Sequence, residues 1–176
     1  VKYNRQFVIP FKGLKSGKHD FLFDIDEKFL NSYEENEINK GKVHIEIHMI
    51  KNLTMFELNF NLEGSVTVMC DRCLDDLEIP VSYTANLYIK FGDTTEEQSD
   101  EILILSHNEF ELDVSQYIYE YLKLSLPYKR IHPFNKTGVS ACNNEMIKKL
   151  EEYLIEPDIK NIDPRWDDLK SLLNNN

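Results

Sequence analysis

Glycine is scarce in this sequence. It occupies six of 176 positions, none of them in G-x-G spacing, which removes the loops that cradle phosphates with closely spaced backbone N–H groups. Neither a G-x-S-x-G nor an H-E-x-x-H pattern is present, so two common hydrolase signatures are missing as well. No apolar run approaches the ~18 residues of a membrane helix, and the first residues lack the charged, apolar, small-residue layout of a signal peptide. These absences predict a soluble, cytoplasmic chain with no membrane partner. Cysteine appears three times, an odd count that argues against a disulfide framework and leaves metal binding, a buried thiol or redox chemistry.

Basic residues are also in short supply. Lys and Arg number 20 against 31 Asp and Glu, for a formal net charge of -11. Such a surface repels phosphate backbones on average, which disfavours a general nucleic-acid coating role and predicts no DNA partner. It leaves room for a local basic patch and favours a basic protein as partner.

What is present divides into a β-rich part, residues 1–106, and a helical part, residues 107–176, read together as a single domain. In "KVHIEIHMIK" Val43, Ile45, Ile47 and Met49 share one face, with His44, Glu46 and His48 on the other, the period of a half-buried strand. Phe56 to Cys70 keep one parity, with Gly64 as the place where a bend or bulge costs least, and Leu77 to Phe91 keep a second parity on the return. The pair reads as a long twisted hairpin turning at "DRCLDD", with Pro80 on its non-core face at a sheet edge. Shorter strands fit "RQFVIPF", "HDFLFDI" and "ILILS", and a short helix fits "DEKFLNSY". The segment "GDTTEEQSDE", with five acids and no base, reads as a solvated loop.

Helical periodicity takes over in "LDVSQYIYEYLKLSLP", with Asp113 placed as N-cap, Gln116 three residues on, and Pro127 as the stop. A second helix fits "NNEMIKKLEEYL". A third opens at "IDPRWDDLKSLL", where Asp163 suits the N-cap and Pro164 the first helical position.

Cys70 and Cys73 form a Cys-x-x-Cys pair at the hairpin tip. A redox motif of this spacing belongs where a strand enters a helix, which lowers the thiol pKa, and a hairpin tip lacks that. A zinc knuckle suits the place better but requires two further ligands. Cys142 is one candidate, and His132 or His107 the other; His132 and Cys142 lie together in "LPYKRIHPFNKTGVSAC" and close a Cys3His set if that loop packs on the tip. The plainer alternative is a turn with buried thiols. The best basic cluster is "YKRIHPFNK", where Lys129, Arg130, His132 and Lys136 are interleaved with Tyr128 and Phe134, a composition that suits local contact with RNA as well as a solvated linker.

Three elements in order, "CDRCL" at a strand end, "LDVSQYIYEYLKLSLP" leading to His132 and Cys142, and the closing "IDPRWDDLKSLL", resemble the YceD family over roughly residues 60–173. The "IDPRW" ending is similar to the branch found in Bacteroidetes. The resemblance implies a role in the synthesis, processing or stability of large-subunit ribosomal RNA and no known enzymatic activity. Many members carry a further cysteine cluster before the last helix, where this sequence has Cys142 alone.

The expected fold is α+β: a twisted, mostly antiparallel sheet that could close towards a barrel, followed by three C-terminal helices. The expected function is that of a non-enzymatic factor in large-subunit assembly. It would bind ribosomal RNA or a large-subunit ribosomal protein, with Arg72, Lys129, Arg130, Lys136, Arg165 and Trp166 as candidate contacts. Cys70, Cys73, His132 and Cys142 are the candidate metal ligands, with zinc as the ion. The competing reading is a zinc- or thiol-dependent enzyme built on the Cys-x-x-Cys tip.

Overall fold

The computed structural model describes residues 4–33, 37–134, 136 and 138–154. The chain divides into two compact units, Val1–Cys142 and Asn143–Asn176.

The first unit is built on a six-stranded sheet of β2 (Gly17–Ile25), β3 (Ile38–Lys51), β4 (Met55–Met69), β5 (Asp76–Gly92), β6 (Glu96–Ser99) and β7 (Ile102–Ser106), in the order β2-β3-β4-β5-β7-β6. Every pairing is antiparallel except that of β5 with β7. A separate two-stranded ribbon joins β1 (Val8–Ile9) to β8 (Leu112–Asp113). No pairing joins the outer strands β2 and β6, so the barrel closure allowed by the sequence does not occur. The edges differ too much for it: β6 has four residues, all exposed, against nine in β2.

The alternating pattern produces the expected hairpin. β4 and β5 pair without a register shift from Met55 opposite Lys90 to Met69 opposite Asp76. Pro80 lies where β5 has β4 as its sole partner strand, so its missing N–H interrupts no second ladder. The bulge falls in β3 between Ile38 and Lys40, and Gly64 pairs in register with Val43. Glycine is required there for another reason: a Cβ at Gly64 would lie 2.2 Å from the Lys42 carbonyl oxygen.

One face of the sheet holds the core. Ile45, Ile47, Leu58, Phe60, Leu62, Leu87 and Ile89 are fully buried, each stabilising the fold by about 2 kcal/mol. α1 (Glu27–Leu30) is capped by Asp26, whose carboxylate accepts from the Phe29 N–H at 2.9 Å, and it buries Phe29 and Leu30 completely. α2 (Ser115–Leu124) contributes Ile118 and Leu122, with the Tyr121 ring 5.1 Å from that of Phe60. Tyr33 stacks on Tyr119 at 3.7 Å and donates to the Ser115 carbonyl, tying the end of α1 to α2.

The opposite sheet face is polar. His44 Nδ1 meets Asp24 at 2.9 Å and His48 Nδ1 meets Asp20 at 2.6 Å, with Glu46 between the two rings.

Several local expectations are corrected. α2 starts one residue later than the pattern suggested: Val114 takes the N-cap place with its side chain buried, while Asp113 accepts from the Ser115 N–H at 2.9 Å. Gln116 donates to Glu120 instead of reaching back to the cap. The acidic segment is not a loop throughout, because β6 forms within it by pairing with β7, whose Leu103 and Leu105 are buried. "RQFVIPF" is split between a 3-10 turn, Asn4–Phe7, and β1. The second unit contains α3 (Asn144–Tyr153), whose N-cap Asn143 accepts from the Glu145 N–H. The third expected helix, with Arg165 and Trp166, lies outside the described residues.

Two outcomes follow from this packing. Gly64→Ala forces backbone apart across β3 and β4, and urea unfolding is expected to show a loss of about 2–3 kcal/mol; unchanged stability would contradict the close approach. The hydrogen bond from His44 to Asp24 raises the His44 pKa above its ordinary 6.5. Its contribution to stability is therefore complete below pH 6.5 and is lost as pH rises through the folded-state value. An NMR titration should find that raised midpoint and see it fall in Asp24→Asn.

Candidate metal centre

The end of β4 delivers the first two candidate ligands. Cys70 follows the last residue of the strand, and the chain turns back with the Leu74 N–H on the Cys70 carbonyl at 3.0 Å and the Cys70 N–H on the Asp75 carbonyl at 2.9 Å. Leu74 adopts φ 62, a left-handed conformation held by no other non-glycine among the described residues, at a cost of about 1–2 kcal/mol. This tight turn places the Cys70 and Cys73 sulfurs on one side, both buried.

The segment after α2 is laid against this turn by reciprocal bonds. The Asp71 N–H donates to the Arg130 carbonyl at 2.7 Å, and the Arg130 N–H donates to the Asp71 carboxylate at 2.7 Å. The Arg130 guanidinium pairs with Glu37 and with Asp71. Two residues further on, His132 Nδ1 lies 3.4 Å from Cys73 Sγ, and its Nε2 lies 3.1 Å from the Asp76 carbonyl oxygen. A carbonyl can only accept, so Nε2 carries a proton, and Nδ1 faces the sulfurs, where it could coordinate an ion once it has given up its own proton.

The same loop then doubles back. Phe134 bridges to Ser140, the Ala141 N–H donates to the Pro133 carbonyl at 3.1 Å, and Cys142 Sγ arrives 3.8 Å from Cys70 Sγ. The ligand atoms of Cys70, Cys73, His132 and Cys142 all lie within 4.8 Å of one another. A tetrahedral ion with thiolate bonds of about 2.3 Å and an imidazole bond of about 2.0 Å needs sulfur atoms about 3.8 Å apart and a sulfur–nitrogen separation of about 3.5 Å. The Cys70–Cys142 and Cys73–His132 spacings fit these values, and with all four ligand atoms within 4.8 Å of one another the residues could hold a metal ion.

The electrostatics favour thiolate. Burial pushes the Cys70 thiol up, but the backbone N–H groups of Cys73 and Arg72, together with His132, outweigh it and hold the pKa at about 6. At His132 burial opposes the imidazolium, whereas its contacts with Cys70, Cys142 and the Asp76 carbonyl raise its pKa. A cation placed among these groups would replace the imidazolium as the partner of the sulfurs.

The other candidates are distributed around this centre. Arg72 holds its guanidinium 5.8 Å from the centre of the Phe134 ring, Lys129 and Lys136 are exposed, and Arg130 is engaged by its two carboxylates. His107 stands apart, stacked on Phe91 at 5.8 Å. Arg165 and Trp166 lie outside the described residues. Residue types alone did not reveal Asp71, Asp76 and Glu37 as supports of the site; the acids flanking the cysteines in "CDRCLDD" were the available signal.

A family model described as large ribosomal RNA subunit accumulation protein YceD matches residues 58–173, about two-thirds of the chain, including all four clustered residues. No curated protein and no solved structure matches the chain.

Cobalt(II) added to the purified chain is expected to give the visible absorption of a tetrahedral thiolate site, saturating at one ion per chain. Cys142→Ala, which removes one ligand, should abolish most of that intensity. A silent wild-type spectrum, or one unaltered by the substitution, would contradict the cluster as a metal centre.

Proposed function

Because the chain belongs to the YceD family of large ribosomal RNA subunit accumulation proteins, we propose that it is a non-enzymatic, cytoplasmic factor in the biogenesis of the large ribosomal subunit. In this role it supports the synthesis, processing or stability of large-subunit ribosomal RNA. It does so by binding, with zinc as a structural ion at Cys70, Cys73, His132 and Cys142.

The observation that carries the non-enzymatic reading is the closed ligand set. Four protein ligands fill a tetrahedron and leave no position for water or substrate, the arrangement of structural rather than catalytic zinc. A thiol enzyme needs an accessible nucleophile, whereas Cys70, Cys73 and Cys142 are all buried.

Zinc at this position fastens the hairpin tip to the 128–142 segment and thereby fixes the backbone that carries Arg72, Lys129 and Lys136. These cations, with Arg130, form the proposed contact region for ribosomal RNA or a large-subunit ribosomal protein, and Arg165 and Trp166, outside the described residues, are separate candidate contacts. A rigid knuckle lowers the entropy lost when long basic side chains are ordered on a partner.

Cells lacking the protein test this reading. Their large-subunit RNA should fall relative to small-subunit RNA, and the wild-type chain should restore it. Neither Cys70→Ser/Cys73→Ser nor Arg72→Ala/Lys129→Ala/Lys136→Ala is expected to do so fully. Unaltered ribosomal RNA on loss of the protein would refute the role. Capture from lysate with and without ribonuclease then separates the partners, since an RNA-held complex dissolves on digestion and a protein-held one persists.

A further inference from the structure

Away from the metal centre, a cleft of about 610 Å³ opens between the β6–β7 edge of the sheet and β8. Its rim carries Glu96, Glu97, Glu109, Glu111 and Asp113, and its lining contains no Lys, Arg or His. Among the described residues none of these five carboxylates takes part in an ion pair. The floor is apolar, formed by the largely buried Leu103, Leu105 and Leu112.

The cleft continues beyond a bridge in which the Tyr117 hydroxyl donates to Glu97 at 3.2 Å. On the far side a cavity of about 440 Å³ is lined by Glu97, Asp100, Glu120 and Tyr121, with Lys123 as its one basic residue, its ammonium 5.7 Å from the centre of the Tyr119 ring. Tyr121 is 6% exposed, and its buried hydroxyl has no hydrogen-bond partner among the described residues.

Between the two cavities runs β6, the outermost strand, with all four residues exposed. An outermost strand keeps one row of backbone N–H and C=O groups available for another strand. We infer that this edge groove binds an extended, Lys/Arg-rich protein segment, which pairs with β6 while its basic side chains lie over the leucine floor and end on the carboxylate rim. Long basic side chains suit both surfaces, because their methylene stems are apolar and their heads are charged. A nucleic acid would set phosphates against the same carboxylates and be repelled. The inference stands on the groove's own chemistry and adds a second contact region to the one proposed around the metal centre, so either can fail alone.

A fluorescently labelled peptide alternating Lys and Val is the probe, titrated with the full chain at moderate salt and read by anisotropy. Saturable binding is expected, weakened at least about tenfold in Glu96→Lys/Glu109→Lys/Glu111→Lys. Glu57→Lys/Glu63→Lys/Glu78→Lys makes the same change of charge on strands β4 and β5 and should bind as the wild type does. If the first variant unfolds, Glu96→Gln/Glu109→Gln/Glu111→Gln replaces it, with a smaller loss expected. Equal weakening in both charge-reversed variants, no saturable binding, or stronger binding of a labelled single-stranded RNA to the same rim would overturn the inference.

Discussion

The site depends on one reciprocal contact: Asp71 and Arg130 exchange hydrogen bonds across 59 residues of sequence. β4 and β5 alone would leave two thiols at the end of a hairpin. The contact lays the segment after α2 along that end, so that His132 and Cys142 come within reach of Cys70 and Cys73. Because these bonds involve backbone atoms on both sides, they set the position of the chain and not merely of two flexible side chains. Arg130 reinforces the arrangement by pairing with Glu37 ahead of β3 as well as with Asp71.

Burial and hydrogen bonding then act in opposite directions on the Cys70 sulfur. An apolar surround disfavours thiolate, yet the backbone N–H groups of the knuckle bring Cys70 down to about 6. A cluster with this bias towards negative charge is prepared for a cation, and the proton on His132 Nε2 leaves the other ring nitrogen suited to coordinate it. The left-handed Leu74 belongs to the same tight turn, closed by its N–H on the Cys70 carbonyl, that carries both sulfurs. Elsewhere five carboxylates line the cleft beside β6 and β8, so one chain combines a cation-bearing knuckle with an acidic groove.

Much of this was legible in side-chain periodicity. Phe56 to Cys70 and Leu77 to Phe91 announced the hairpin because each buried residue alternates with a polar one, and the parity carried Cys70 into the core. His132 and Cys142 were legible as partners because they share one loop between helical segments. β6 was not, since it contains no apolar side chain and exists through its backbone pairing with β7. The two-residue ribbon of β1 and β8 is too short to show a period. The support that Asp76 gives His132 comes from a carbonyl, which no residue type reveals. The pairing of Arg130 with Glu37 spans 93 positions of sequence, and charge alone could not choose that partner from 31 acids.

Zinc K-edge X-ray absorption of the purified protein most directly tests the proposed closure of three thiolates and one imidazole of this chain around a single ion. The account predicts a first shell of three sulfur atoms at about 2.3 Å and one nitrogen at about 2.0 Å. A shell made of oxygen and nitrogen alone, or protein prepared in the presence of zinc that carries none, would contradict it.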